Sequence, residues 1–229
     1  MRVLLFLCLL IATEVRAQTT ADAASVRPVI EEALKSFRTE GPKGWSFTQT
    51  TEGAGHSRVE RYDAGKPEFD RWTLLKEDGR PPTPDEAQDY MEKLSRHSRG
   101  GTAPKLTDQL DLTSFQVVTD TAEHATCRMR LKPGEAGDDT AKFLVATLVL
   151  HKPSRTIESF QLGAESPFSP TWGVKIVAMK TTLTYSRPEG ARPSLLQQSS
   201  THLRGRAFWL KSLDADMTVT FTDYERAHR

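Results

Sequence analysis

The sequence has 229 residues, 37% of them hydrophobic, and its 31 basic and 30 acidic side chains leave a formal net charge of +1. A charge so close to zero provides no long-range field for a nucleic acid, so that class of partner is not expected. The length suits one domain of ordinary size that can bury a hydrophobic core without disulfide bonds or metals.

The N-terminus has the layout of a secretory signal peptide. A short cationic start, Met1-Arg2, is followed by an apolar run over residues 3–12. Val15 and Ala17 then supply the small or permissive residues that precede a cleavage site. The apolar run is too short for a membrane-spanning helix, which needs about 20 residues. The pattern therefore predicts a cleaved leader rather than an anchor.

Cleavage after Ala17 would leave a leader at residues 1–17 and a single mature domain at residues 18–229. Within that mature domain Cys127 is the only cysteine, so no intramolecular disulfide is expected. We expect a bacterial protein that is periplasmic or secreted, with no transmembrane anchor in the mature chain.

Two segments have helical periodicity. The first covers residues 21–39, where apolar residues recur at steps of three and four, and Pro28 suggests that regular helix begins near Ser25. The second covers residues 84–98. It begins with Thr83-Pro-Asp-Glu86, which is a capping box with proline at the first helical position.

Most of the remaining chain alternates apolar and polar residues in short runs, as strands do. The predicted strands are residues 45–51, 57–63, 71–76, 114–119, 125–131, 142–151, 156–162, 173–186, 195–206 and 213–223. They are joined by short turns and do not alternate regularly with helices. The pattern predicts an α+β fold that is mainly antiparallel β: a large curled sheet of about ten strands, a half-barrel, with two helices packed on it.

No motif in the sequence specifies a catalytic or metal site. The six histidines are widely spaced, so neither a metal nor another cofactor is expected, and no catalytic residue is assigned. Cys127 is expected to be a small core residue rather than a reactive thiol. An acid/base pair could still be assembled in space from scattered carboxylates; Glu60, Asp63, Asp70 and Glu77 are the candidates.

Two further features leave alternatives open. Arginines recur with strand spacing at residues 128 and 130 and again at 204 and 206, which fits either a solvated sheet face or a cationic stripe. The loop at residues 163–173 contains two prolines, so it is not expected to join the sheet. Phe168 and Trp172 are costly to leave in water, so this loop is expected to turn inward, either closing the core or gating an apolar cavity.

The order of elements resembles a known family. A leader, an amphipathic helix, a W-x-F-x-x-T strand (residues 45–50) and many antiparallel strands with one mid-chain helix resemble the periplasmic lipoprotein-carrier superfamily of Gram-negative bacteria. The segments RYDAGKPEFDRWTLL, DGRPPTPDE and SPFSPTWGVKI are also similar to those of secreted bacterial proteins without an assigned function. The resemblance implies an unclosed β-barrel whose apolar concave face holds lipid acyl chains.

On this reading, ten side chains are candidates for a ligand-binding cavity: Trp45, Phe47, Trp72, Leu74, Met129, Leu148, Phe168, Trp172, Val219 and Phe221. The expected function is that of a non-enzymatic periplasmic binding or carrier-type protein, with an apolar ligand, an acyl chain or a lipid-modified envelope protein as its partner. The alternatives are an envelope hydrolase that uses scattered carboxylates and a structural or assembly partner in the envelope.

Overall fold

The computed structural model describes residues 14–37, 43–96, 106–133 and 140–227. Across these ranges the helices are α1 (Glu14–Ser36), α2 (Pro84–Arg96) and α3 (Leu106–Gln109). The strands are β1 (Trp45–Gly53), β2 (His56–Tyr62), β3 (Trp72–Glu77), β4 (Leu110–Asp120), β5 (His124–Leu131), β6 (Leu144–His151), β7 (Thr156–Ala164), β8 (Val174–Tyr185), β9 (Leu196–Ala207), β10 (Lys211–Ser212) and β11 (Ala215–Arg226). None of these helices is long and apolar enough to cross a membrane.

The strands of these ranges form one antiparallel sheet in the order β3-β2-β1-β11-β9-β8-β7-β6-β5-β4, and β10 pairs with β9. Most neighbouring strands are joined by hairpins. However, β1 pairs with β11, so the first and last strands lie side by side. The two edges are β3 and β4, and α2 lies between them in the chain. The sheet is large, curled and unclosed, which confirms the prediction of a mainly antiparallel half-barrel with helices.

One face of the sheet, which we call the inner face, carries the core. Side chains alternate along a strand, so the register fixes which residues share this face. Phe47 lies opposite Tyr62 of β2, and Gln49 lies opposite Phe221 of β11. The same alternation continues through β9, β8 and β7 to β6, where Leu148 lies opposite Phe160.

Helix α1 covers the β4–β8 half of the inner face. Its buried residues Val26, Ile30, Ala33 and Leu34 lie at helical spacing and pack against a cluster from these strands that includes Leu148. Sixteen buried residues form this cluster, so the space between α1 and the strands is filled by side chains.

All ten predicted strands are present with bounds shifted by a few residues, but three details of the prediction are corrected. Pro28 lies inside α1 rather than in its first turn, since the helix already begins at Glu14. The short α3 and β10 were not predicted, because neither is long enough to show a periodic pattern. Residues 1–13, which hold most of the predicted leader, lie outside the described ranges, and cleavage after Ala17 stays a prediction.

Candidate functional site

Five aromatic rings form a wall on the β1–β3 half of the sheet. Phe47 is buried at its centre, with ring centroids 5.0 Å from Tyr62, 5.8 Å from Trp72 and 5.6 Å from both Phe221 and Tyr224. Offset and edge-to-face pairs at these distances stabilise one another beyond the area that they bury. We call these five residues the aromatic wall.

Helix α2 is placed beside this wall by its own N-terminal sequence. The capping box predicted from the sequence is present: the Thr83 amide donates to Glu86 Oε2 at 2.8 Å, and the Glu86 amide donates to Thr83 Oγ1 at 3.3 Å. The Arg80 guanidinium also donates two hydrogen bonds, at 2.6 and 2.8 Å, to the Glu86 carboxylate. These bonds, first from Arg80 and then from the Thr83 amide, lower the pKa of Glu86 to about 2.

An apolar cleft separates α2 from the edge strand β3. Its volume is about 570 Å³, and its apolar lining is Pro67, Trp72, Leu74, Ala87, Tyr90 and Met91, with Lys66 and Asp70 among the polar residues. A neighbouring cavity of about 400 Å³ shares Leu74 and Tyr90 with this cleft. We call the larger space the α2 cleft. It lies directly against the aromatic wall, because Trp72 belongs to both.

A buried polar contact joins α2 to the sheet. Glu60 is only 4% exposed, and its carboxylate accepts hydrogen bonds from the Tyr90 hydroxyl at 2.7 Å and from Gln49 Nε2 at 3.0 Å. A buried carboxylate needs such donors, because burial without them is costly. Among the described side chains of α2 only Tyr90 is buried, so the helix rests on the sheet without being packed into it.

Glu60 and Asp63, which the sequence offered as candidates for an acid/base pair, are not brought together. Glu60 contacts Gln49 on the inner face, whereas Asp63 accepts a hydrogen bond at 3.4 Å from Ser46, which alternates with Phe47 along β1. The two carboxylates therefore lie on opposite faces, and that pair is excluded.

Glu77 does share a cavity with Glu60. This third space, of about 630 Å³, lies beside the β1–β2 hairpin and is also lined by Arg58. Arg58 donates to both oxygens of Glu77 at 2.8 and 3.0 Å, and Glu60 is engaged with Tyr90 and Gln49. These hydrogen bonds give both carboxylates a structural role.

The remaining predicted cavity residues divide into two groups. Trp45, Val219 and Phe221 are half-buried in β1 and β11, the strands of the aromatic wall. Met129 and Leu148 belong instead to the filled cluster beneath α1. Because α1 occupies the space above them, both are core residues of this cluster, and Met129 also lines a small separate cavity of about 130 Å³ beside Arg128 and Arg130.

The loop at residues 163–173 turns inward with only one of its two aromatic side chains. Phe168 is buried, and its ring stacks on Phe143 with centroids 5.3 Å apart. It also forms an antiparallel bridge with Ile176, with backbone hydrogen bonds of 2.8 and 2.9 Å, so the expectation that the prolines keep this loop from pairing was wrong. Trp172 is 83% exposed, so the inward orientation expected for it was also wrong.

Arginines on the outer face are paired with carboxylates. Arg128 and Arg130 both donate to Glu165, and Arg204 donates to Asp216 at 2.6 Å. This pairing favours a solvated sheet face over a cationic stripe at these positions.

Cys127 has the character of a core residue. It is completely buried in the cluster beneath α1, and burial raises the pKa of its thiol to about 12. The thiolate is therefore scarce at neutral pH, as expected for an unreactive cysteine.

The structure does bring together three potential metal ligands that spacing in the sequence does not reveal. His124 and His151 are direct partners across β5 and β6, and with Glu158 of β7 they place one ligand atom each within 4.8 Å of one another. His124 Nε2 lies 3.0 Å from Glu158 Oε2, and Arg187 Nε lies 2.5 Å from Glu158 Oε1. The guanidinium already supplies positive charge here, so we interpret His124, Glu158 and Arg187 as an ion-pair network, while His151 is hydrogen-bonded to Ser154 Oγ at 2.7 Å.

Comparison with known proteins finds a distant likeness among solved structures. Neither a protein-family model nor a curated protein matches the sequence. Among solved structures, a crystal structure from Vibrio parahaemolyticus described as an outer membrane lipoprotein-sorting protein domain aligns with a TM-score of 0.40 and 10% identity, covering 89% of this chain and 92% of that one. Because the TM-score and the identity are this low, the likeness carries no functional argument. The proposed function rests on the geometry of the α2 cleft.

Proposed function

We propose that the protein is a non-enzymatic binding protein that holds an apolar ligand, such as an acyl chain, in the α2 cleft. The acyl chain is free or belongs to a lipid-modified partner in the cell envelope. The observation that carries this proposal is the apolar cleft bounded by Trp72 and Leu74 on the sheet and by Met91 on a helix whose described side chains, apart from Tyr90, are not buried. The predicted leader at residues 1–17 supports export to the envelope.

The size and lining of the cleft support an apolar ligand. A volume of about 570 Å³ lies within the range of about 300–1,000 Å³ that is typical of small-molecule sites. Such a ligand gains about 25 cal/mol for each Å² of apolar surface that it buries, and no catalytic group is required. Lys66 lies at the same cleft and offers an ammonium group to a carboxylate or phosphate at the polar end of the ligand.

Helix α2 supports the proposal as a movable cover. The body of the helix contacts the sheet through the hydrogen bond from Tyr90 to Glu60 and through Arg58 of β2, whose guanidinium lies 6.0 Å from the Tyr90 ring centroid. The first turn of the helix is tied to the end of β3 by the two hydrogen bonds from Arg80 to Glu86. Loss of the hydrogen bond from Tyr90 to Glu60 would loosen the body of the helix while Arg80 still holds its first turn. A ligand could then enter between the helix and β3 without disturbing the core beneath α1.

Uptake of a fluorescent fatty acid by the purified protein tests the proposal. The wild-type protein should bind the probe, and Met91→Asp, which places a charge in the cleft, should weaken binding by about tenfold or more. Leu75→Asp is the matched control, since Leu75 neighbours Leu74 in β3 but points away from the inner face and is exposed. That variant should bind as the wild type does.

Two results would contradict the proposal. One is the absence of probe uptake by a folded wild-type protein. The other is equal loss of uptake in Met91→Asp and Leu75→Asp, because binding would then not depend on the α2 cleft. A protein that acts only as an assembly partner would give the first result.

A further inference from the structure

Four large apolar side chains stand exposed together at one end of the sheet. Leu210 is 94% exposed, Trp209 84%, Trp172 83% and Phe208 55%, and the rings of Trp172 and Phe208 lie 5.6 Å apart. They come from the β9–β10 hairpin and from the end of the loop before β8. We call these four residues the apolar tip. Exposed apolar side chains that cluster in this way mark interaction sites in soluble proteins.

The tip places two bulky aromatic residues at turn positions with positive φ. The Leu210 amide donates to the Ala207 carbonyl at 3.2 Å, and Phe208 and Trp209 have φ values of 49° and 59°. This is the geometry of a type I′ turn, whose two central positions strongly favour Asn-Gly. Bulky residues with positive φ cost about 1–3 kcal/mol each and persist mainly at functional sites. The strained turn therefore suggests that the two aromatic side chains are used.

The two segments of the tip hold each other in place. The Phe208 amide donates to the Gly173 carbonyl at 2.6 Å, and the Phe208 ring lies so close to Gly173 that a Cβ there would approach it within 2.6 Å. Phe168 anchors the same loop in the core through its bridge with Ile176. Trp172 is thus presented by a fixed loop rather than by a freely moving one.

Three basic residues lie near the base of the tip. Lys175 lies opposite Arg206 in the β8–β9 register, and Lys211 follows the tip directly in β10. Two acidic residues lie further along the chain: Asp214 accepts from the Gly205 amide at 3.0 Å, and Asp216 is bound by Arg204 at 2.6 Å. The tip therefore combines exposed tryptophan, phenylalanine and leucine with basic side chains at its base.

We propose that the apolar tip inserts into the interface of a membrane that contains anionic phospholipids. Tryptophan favours the headgroup level of a bilayer, and each flanking lysine or arginine gains about 1 kcal/mol near an anionic surface. A protein partner fits these features less well, because a standard interface buries about 800 Å² on each side. Four side chains on a hairpin turn and a neighbouring loop end form a small projection rather than a broad surface.

Flotation of the purified protein with lipid vesicles tests the proposal. The wild-type protein should float with vesicles of phosphatidylcholine that contain phosphatidylglycerol, and less with phosphatidylcholine alone. Trp209→Gly should weaken binding about tenfold or more, because it removes the largest apolar surface of the turn. Lys211→Glu should weaken binding to the anionic vesicles only. Phe69→Ala removes an equally exposed aromatic residue from another region and should leave flotation unchanged.

Trp209→Gly also separates docking from folding. Glycine adopts a φ of 59° without strain, so the melting temperature of this variant should equal or exceed that of the wild type. Fatty-acid uptake should be unaffected by Trp209→Gly, and flotation should be unaffected by Met91→Asp, so failure of one proposal leaves the other standing.

Flotation of folded Trp209→Gly at the wild-type level would overturn the proposal, as would a wild-type protein that binds neither kind of vesicle. Self-association that is lost in Trp209→Gly, without vesicle binding by the wild type, would instead identify the tip as a protein contact and would also overturn it.

Discussion

Two helices lie on the same curled sheet in different ways. Helix α1 inserts four buried side chains into the β4–β8 half, where the sheet and the helix share one filled core. Helix α2 lies on the β1–β3 half, where Tyr90 alone is buried among its described side chains and the α2 cleft stays open beside it. The first helix completes the core, and the second is the part of the fold that a ligand could displace.

The difference follows from the residues that each helix presents. Val26, Ile30 and Leu34 give α1 a continuous apolar stripe, whereas Tyr90 carries a hydroxyl that must reach a hydrogen-bond acceptor when it is buried. Glu60 supplies that acceptor. A polar contact of this kind fixes the position of α2 on the sheet. Breaking it costs less free energy than separating a helix from an apolar core.

Truncation of core leucines should show the largest contrast between the two halves. Leu148→Ala, beneath α1, should lower the free energy of unfolding by an amount in the upper part of the range of about 2–5 kcal/mol, because the filled core cannot collapse around the cavity. Leu74→Ala should cost about 2 kcal/mol or less, since Leu74 already borders open space. Urea unfolding measures both values, and equal losses would contradict the contrast.

Removal of the Tyr90 hydroxyl should have the next largest effect. Tyr90→Phe removes the hydroxyl that donates to the buried Glu60 carboxylate, while the bond from Gln49 Nε2 is kept. The free energy of unfolding should therefore fall by about 1–3 kcal/mol. Tyr62→Phe is the matched control, because the Tyr62 hydroxyl accepts only a long bond of 3.5 Å from Arg71. The control should change stability by less than about 0.5 kcal/mol. Similar losses in both variants would argue against a special role for the Tyr90 contact.

Loss of the helix cap should cost less. Thr83→Ala removes the hydroxyl that accepts from the Glu86 amide and should lower the free energy of unfolding by about 1 kcal/mol. Thr83→Ser keeps the hydroxyl and should remain close to the wild type in a thermal melt. If the serine variant lost as much stability as the alanine variant, the cap would not be the cause.

The smallest expected effect is a dependence on acidic pH. The pKa of Glu86 is lowered from 4.5 to about 2 by Arg80 and the Thr83 amide. Its contribution to stability is therefore present above the unfolded-state value and is lost as the pH falls through the folded-state value. The difference in melting temperature between the wild type and Glu86→Gln should be constant above about pH 5 and shrink as the pH approaches about 2. A difference independent of pH would contradict the ion pair with Arg80.

The sequence was sufficient to predict the strands and the cap of α2, because both depend on local patterns. Alternation along residues 125–131 and 213–223 identifies strands directly, and Thr83 and Glu86 are only three residues apart. Local alternation also placed Trp72 and Leu74 on one face of a short strand, and both line the α2 cleft; their part in ligand binding stays a prediction.

The features that depend on strand order could not be predicted. The pairing of β1 with β11 and the meeting of His124, His151 and Glu158 join residues that no local pattern relates. Met129 and Leu148 have the same alternation as Leu74, but only the position of α1 shows that they are covered. Phe208-Trp209 was missed because aromatic residues give no turn signal.

Hydrogen exchange of the two helices, with and without palmitate, tests most directly the claim that α2 covers a ligand site. In the free protein the amides of α2 should exchange faster than those of α1, because α2 has few buried contacts. Addition of palmitate should slow exchange in α2 and β3 while leaving α1 unchanged. Protection of α1 instead, or no change in α2 under conditions where palmitate binds, would contradict the account.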